Sequence, residues 1–147
     1  MTTRGQMSEA AEHEGGHTEL MRAALEGETE TVERLLESGT NVNKRDDEGR
    51  TGLMFAVTNI HRDIANRLLK HGADINSAAD DGSTALMLAA SAGDAEIVRD
   101  LLSKGADPSA KFTQTGKTAL MLAKEKNFTE IVRLLEAAEA NDENQTN

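Results

Sequence analysis

Glycine recurs on a fixed period in this chain, and that period limits the possible folds more than any other feature. Gly39, Gly72 and Gly105 stand 33 residues apart, and each is followed by a Thr/Ala then Asn/Asp pair: Thr40-Asn41, Ala73-Asp74 and Ala106-Asp107. In a second series, Gly16, Gly49, Gly82 and Gly116 each lie two residues before a Thr that opens a Thr-x-Leu-Met tetrad, at 18–21, 51–54, 84–87 and 118–121. The last interval is 34, which places one inserted residue between the third and fourth units, near Phe112. Self-similarity at this spacing marks a row of small supersecondary units sharing one core.

Each unit reads as turn, helix, turn, helix. The tetrad Thr can accept a hydrogen bond from an unpaired backbone N–H and so cap the first helix. Leu53, Ala56 and Val57, or Leu86, Ala89 and Ala90, then fall three and four apart on one helical face. Ile64 and Leu68, and Ile97, Val98, Leu101 and Leu102, mark the second helix in successive units. Gly39, Gly72 and Gly105 can close it in the left-handed conformation. Burying one Leu contributes roughly 1.5–3 kcal/mol. Set against the ordering entropy of a whole unit, that leaves no unit stable alone, so the row folds as a row.

The expected organisation is a disordered acidic segment at 1–12, repeat 1 at 13–45, repeat 2 at 46–78, repeat 3 with the insertion at 79–112, repeat 4 at 113–140 and a disordered tail at 141–147. Terminal repeats serve as caps in such rows. The first has Thr31 where later repeats place an Ile, and the last has Glu139 where a Gly would close the helix.

Composition narrows the chemistry. Hydrophobic residues are 37% and aromatics only 2%, so the core must be built from Leu, Ile, Val, Ala and Met. The net charge of −10 argues against tracking phosphates, so no nucleic-acid partner is expected. The two ends carry most of this acidity, which serves solubility. There is no Cys to supply disulfides, thiolate nucleophiles or zinc sites. The beginning lacks an apolar signal region and no run approaches the ~20 residues that span a bilayer, so a soluble cytoplasmic protein without membrane partner is expected.

In these residues the chain resembles the ankyrin-repeat family over about 13–140. The resemblance rests on Asp46-Asp47-Glu48-Gly49-Arg50-Thr51-x-Leu53, on Gly82-Ser83-Thr84-Ala85-Leu86-Met87-Leu88-Ala89-Ala90-x-x-Gly93, on Glu96-Ile97-Val98 and on Gly105-Ala106-Asp107. It implies an all-α solenoid of stacked helix-turn-helix units with hairpin-like turns. The family's Thr-Pro-Leu-His is nowhere intact: Glu19, Gly52, Ala85 and Ala119 hold the Pro position, and Met21, Met54, Met87 and Met121 the His position. Gly52 costs roughly 0.5–1 kcal/mol relative to Ala inside a helix. Together with Ile60, where the third unit has Gly93, it makes the second repeat the softest. The methionines are expected to replace the family's hydrogen bond with packing.

No catalytic or metal centre is expected, and no cofactor. Gly116-Lys117-Thr118 ends like a phosphate loop, but Lys111 stands where the pattern needs Gly. His13 and His17 have metal-ligand spacing on a helix, yet Gly15 and Gly16 interrupt one, and solvated polar residues are the better reading. His61 and His71 read as exposed helix-end residues. Asp46-Asp47-Glu48 and Asp80-Asp81 read as hairpin charge, since Ser77 and Ala79 break a calcium-loop pattern. No nucleophile, base and acid fall together for hydrolysis.

The resemblance instead implies that another protein is bound by the turn tips and the exposed ends of the first helices. Carried over by position, the tips are Asp47, Glu48 and Arg50, then Asp80, Asp81 and Ser83, then Gln114, Thr115 and Lys117. The helix ends are Leu25 and Glu26, Thr58 and Asn59, Ser91 and Ala92, and Glu125 and Lys126. Acidic tips in repeats 2 and 3 contrast with Lys111, Lys117 and Lys126 in repeat 4, and Phe112 is a candidate exposed apolar anchor. The free chain is expected to be monomeric. Two readings stay open: a free-standing adaptor or inhibitor docking on a folded partner, or a chaperone-like or regulatory subunit holding an extended peptide.

Overall fold

The computed structural model describes residues 14–145. A short turn at Glu14–Gly16 leads into four helix pairs: α1 (Glu19–Glu26) with α2 (Thr29–Glu37), α3 (Gly52–Thr58) with α4 (Arg62–Lys70), α5 (Ala85–Ala92) with α6 (Ala95–Ser103), and α7 (Ala119–Glu125) with α8 (Thr129–Gln145). Extended pairing among the described residues is limited to isolated bridges such as Lys111 with Thr118. The chain divides into two compact units, Met1–Asp74 and Ile75–Asn147, each holding two pairs.

The four tetrad threonines all cap as expected. Met21, Met54, Met87 and Met121 donate their N–H groups to Thr18, Thr51, Thr84 and Thr118 Oγ1 at 3.2, 3.5, 3.4 and 3.3 Å. At the other end of the first three pairs, Gly39, Gly72 and Gly105 have φ of 85°, 94° and 97°. The N–H groups of Thr40, Ala73 and Ala106 then reach back to the carbonyls of Leu35, Leu68 and Leu101, which satisfies the open helix ends.

Within unit 1, α3 packs on α1 and α4 on α2. Within unit 2, α7 packs on α5 and α8 on α6. Leu53, Ile64 and Leu68 of the sequence stripes are buried with Leu20, Ala23 and Val32 in unit 1, and Leu86, Ala89, Ile97 and Leu101 with Ile131 and Leu135 in unit 2, each at most 2% exposed, while Leu102 is half-buried. A polar rung joins the two layers of each unit. Asn43 Nδ2 donates to Gly72 O at 3.1 Å while Asp74 N–H donates to Asn43 Oδ1 at 2.8 Å. Asn76 repeats the arrangement with Gly105 O and Asp107 N–H at 3.1 and 2.8 Å. One side-chain amide thus satisfies a donor and an acceptor of the next turn.

Several expectations are corrected. The tail expected to be disordered from 141 is helical to Gln145, because Glu139 replaces the closing Gly and Ala137, Ala138 and Ala140 favour continuation. Residues 1–12, expected to be disordered, lie outside the described residues, as does His13. Met21, Met54 and Met87 are buried as predicted, but Met121 is 49% exposed. Met21 also keeps a weak polar role, since its Sδ accepts from Thr18 N–H at 3.4 Å. The softness expected of repeat 2 has a structural basis at the inter-helix turn: Gly27 and Gly93 have φ of 78° and 82°, and Ile60 takes the same left-handed conformation at 59°. A β-branched residue there carries a cost of roughly 1–2 kcal/mol.

Candidate protein-binding surface

The tips differ in what they are built around. In repeat 2, Asp46 N–H donates to Arg50 O at 2.9 Å and the Asp46 carboxylate is inaccessible to solvent. Its Oδ1 accepts from the N–H groups of Glu48 and Arg50 at 3.0 and 2.8 Å, and its Oδ2 accepts from Arg50 Nε at 2.8 Å. Burial by itself would raise the pKa of this carboxyl. The hydrogen bonds and charge supplied by Arg50, with the Glu48 amide, outweigh burial and hold it below its ordinary value of 3.8. His17, expected to be a solvated residue, lies 3.1 Å from Asp46 Oδ2 and 3.1 Å from Arg50 Nη2. Its ring meets Phe55 edge-on at 5.1 Å, and the Arg50 guanidinium stands 5.0 Å from the Phe55 ring centre. The Asp46–Glu48 segment is therefore more than hairpin-tip charge: Asp46 is the turn's internal scaffold, and only Asp47 and Glu48 are exposed.

In repeat 3, buried Ala79 takes the place of Asp46, donating to Ser83 O at 2.9 Å. Asp81 Oδ1 accepts from the Ser83 N–H at 2.9 Å and its hydroxyl at 2.6 Å. Ser83 is buried, so it supports the turn and does not present itself to a partner as expected. Asp80 and Asp81 are exposed. Phe112, expected to end repeat 3, opens repeat 4 at the position of Asp46 and Ala79, and its N–H donates to Lys117 O at 2.9 Å. The turn between those two residues is one longer, so the insertion is in the tip itself and Phe112 is not part of it. Phe112 is half-buried, not the exposed anchor expected, because its backbone packs against the Gly82 turn: a Cβ on Gly82 would lie 3.2 Å from Phe112 Cα. Gln114 and Thr115 occupy the exposed apex, with Lys111 exposed beside them.

Bonds between layers fix the tips and first-helix ends. In unit 1, Asp47 N–H donates to Gly15 O at 2.8 Å; in unit 2, Thr113 N–H donates to Asp81 O at 2.9 Å. Asn59 Nδ2 donates to Leu25 O at 2.8 Å, and His61 Nε2 lies 3.1 Å from the same carbonyl, so His61 is half-buried where an exposed residue was expected. The counterpart of Asn59 in unit 2 is Lys126, whose Nζ donates to Ser91 O and Oγ at 2.8 and 2.9 Å. Lys117 Nζ and Glu125 Oε1 pair at 2.7 Å, joining tip to helix end within repeat 4. The basic character expected of that repeat is accordingly reduced, with Lys117 neutralised by Glu125. Thr58 is exposed with its hydroxyl donating to Met54 O at 2.8 Å, and Ser91 and Ala92 are half-buried. His71, exposed as expected, has Nδ1 2.9 Å from Arg67 O.

Away from this surface, a groove of about 860 Å³ in unit 2 runs between the α6 end, the 105–109 loop and α8, with Leu102, Leu134 and Ala138 along it. No cluster of three or more His, Asp or Glu placed to hold a metal occurs among the described residues. No described helix is long and apolar enough to cross a membrane.

Compared with known families, residues 20–112 match the description Ankyrin repeats (3 copies), and residues 115–147 match Ankyrin repeat. The chain belongs to the ankyrin-repeat family, whose repeats are all-α and generally serve as protein–protein interaction modules rather than as catalysts. A search of curated proteins returned no match.

Proposed function

We propose that this chain is a free-standing adaptor or inhibitor that docks on a folded cytoplasmic protein through its turn tips and first-helix ends. The observation that carries the reading is the cross-bracing in unit 2. Lys126 clamps Ser91 of the preceding layer, and Lys117 ties tip to helix end through Glu125. A surface held this way loses little conformational entropy on binding, which favours a rigid, folded partner. The contact residues in this proposal are Asp47, Glu48, Arg50, Thr58, Asp80, Asp81, Lys111, Gln114 and Thr115. Asn59, Ser91, Ala92, Glu125 and Lys126 form the supporting floor.

Affinity capture from native lysate followed by mass spectrometry tests the proposal, and one stoichiometric folded partner is the expected result. With that partner in hand, reversing Asp80 and Asp81 to Lys should slow association about tenfold at low salt with little change in dissociation. Unchanged association kinetics would remove the acidic tips from the interface. The groove along α8 favours a second reading, in which an extended peptide is held there. Capture of many unrelated extended segments in place of one folded protein would select it.

A further inference from the structure

The last layer of unit 2 leaves open a face of the kind that is closed inside the units. Met21 and Met87, at the same depth of their first helices, are 1% exposed, and Met121 is 49% exposed. Val98 of α6 is fully buried, whereas its α8 counterpart Val132 is only half-buried. The flanking positions change chemistry: buried Ala90 and half-buried Leu102 of repeat 3 correspond to Lys124 and Glu136 of repeat 4, both exposed. Neither has an ion-pair partner among the described residues.

The short turn at 126–128 makes α7 and α8 antiparallel. Lys124, near the end of α7, and Glu136, two turns into α8, therefore lie on opposite sides of Met121 and Val132. An apolar centre with a cation on one flank and an anion on the other becomes its own complement after a half-turn.

We infer that this face is the docking site for a second copy of the chain, forming a two-fold dimer in which the two Met121 side chains meet and Lys124 of each copy faces Glu136 of the other. The interface continues the layer-to-layer packing of unit 2, with a second molecule in the place of a following layer. α8 itself passes the Glu139 position without turning and runs to Gln145. Head-to-tail stacking is opposed by the first layer, where Arg22 pairs with Glu26 and Glu28 and Arg34 pairs with Glu19. The hydrogen bond from Arg22 chiefly holds the Glu28 carboxyl down to about 2, so that polar cover stays ionised.

Sedimentation equilibrium of the full chain from about 10 µM to about 1 mM tests the dimer, because association of this kind follows mass action. The expected weight-average mass rises from 15.8 kDa toward twice that value. Met121→Lys should hold it at the monomer value throughout, with an unchanged helical circular-dichroism spectrum. Lys124→Glu or Glu136→Lys alone should weaken association about tenfold or more, and the double variant should restore it. A constant monomer mass to the top concentration overturns the inference. So does association that survives Met121→Lys, or a double variant no better than the single ones.

Discussion

Unit 1 and unit 2 fold the same turn around opposite interiors. At residues 46–50 a buried carboxylate gathers two amides, a guanidinium and a histidine. At the same place unit 2 has Ala79 in one layer and Phe112 in the next, and the backbone still closes with the same N–H to carbonyl bond. The path of the turn is therefore set by its glycine and by the Thr that starts the following helix. What fills the turn sets how much the layer depends on charge. The contrast extends to the inter-helix turn, where unit 2 has Gly93 and Asn127 and unit 1 has Gly27 and Ile60.

The strongest way to break this comparison is to remove the glycine. A Cβ on Gly82 would lie 2.5 Å from Lys111 O and 3.0 Å from Thr113 N, which are backbone atoms of the adjoining layer. Gly82→Ala should cost at least about 3 kcal/mol in urea unfolding. Gly116→Ala, with nothing within 4 Å, should cost only about 1 kcal/mol for its left-handed backbone. Equal losses in the two variants would show that layer contact is not what demands Gly82.

Next comes the carboxylate. Asp46→Ala leaves two amides and Arg50 Nε without their acceptor and should cost about 2–3 kcal/mol. Because the folded state holds the Asp46 carboxyl below 3.8, its contribution is complete above that pH and is lost as pH falls through the lower folded value. Urea midpoints measured from neutral pH to pH ~3 should fall less steeply in Asp46→Ala than in the wild type. Parallel curves would contradict the role given to this group.

Smaller gains should come from relieving unit 1. Ile60→Gly removes a β-branched residue from a left-handed turn and should stabilise the chain by about 1 kcal/mol in thermal unfolding. Gly52→Ala should add about 0.5–1 kcal/mol, since the new methyl would sit 3.7 Å from Leu20 Cγ and 3.8 Å from Leu68 Cδ1, in ordinary contact. A loss of stability in Gly52→Ala would mean that the α1–α3 spacing admits no extra atom.

Much of the fold was legible because periodic residues act locally. A Thr two residues after a turn glycine caps the helix it precedes, and a Gly after a leucine-rich helix closes it, whatever lies elsewhere. The strain at Ile60 was legible for the same reason, by comparison with Gly93. The binding surface was legible only as a set of positions. Nothing local distinguishes buried Ser83 from exposed Asp81, or half-buried Phe112 from an exposed anchor. The Asn43 and Asn76 rungs did carry a signal, since the two asparagines stand 33 residues apart within the repeat, but their partners are turns 29 and 31 residues away.

The sequence by itself determined where helices begin and end, which faces are apolar, and that the units recur in one register, because caps, glycine turns and helical stripes are properties of a few neighbouring residues. Tertiary structure alone decided that His17 joins Asp46 and Arg50, that Lys126 clamps Ser91, and that Met121 is left uncovered while Met21 and Met87 are not. Those outcomes depend on which layer arrives beside a side chain, and a side chain identical in sequence context is buried or bare according to that neighbour.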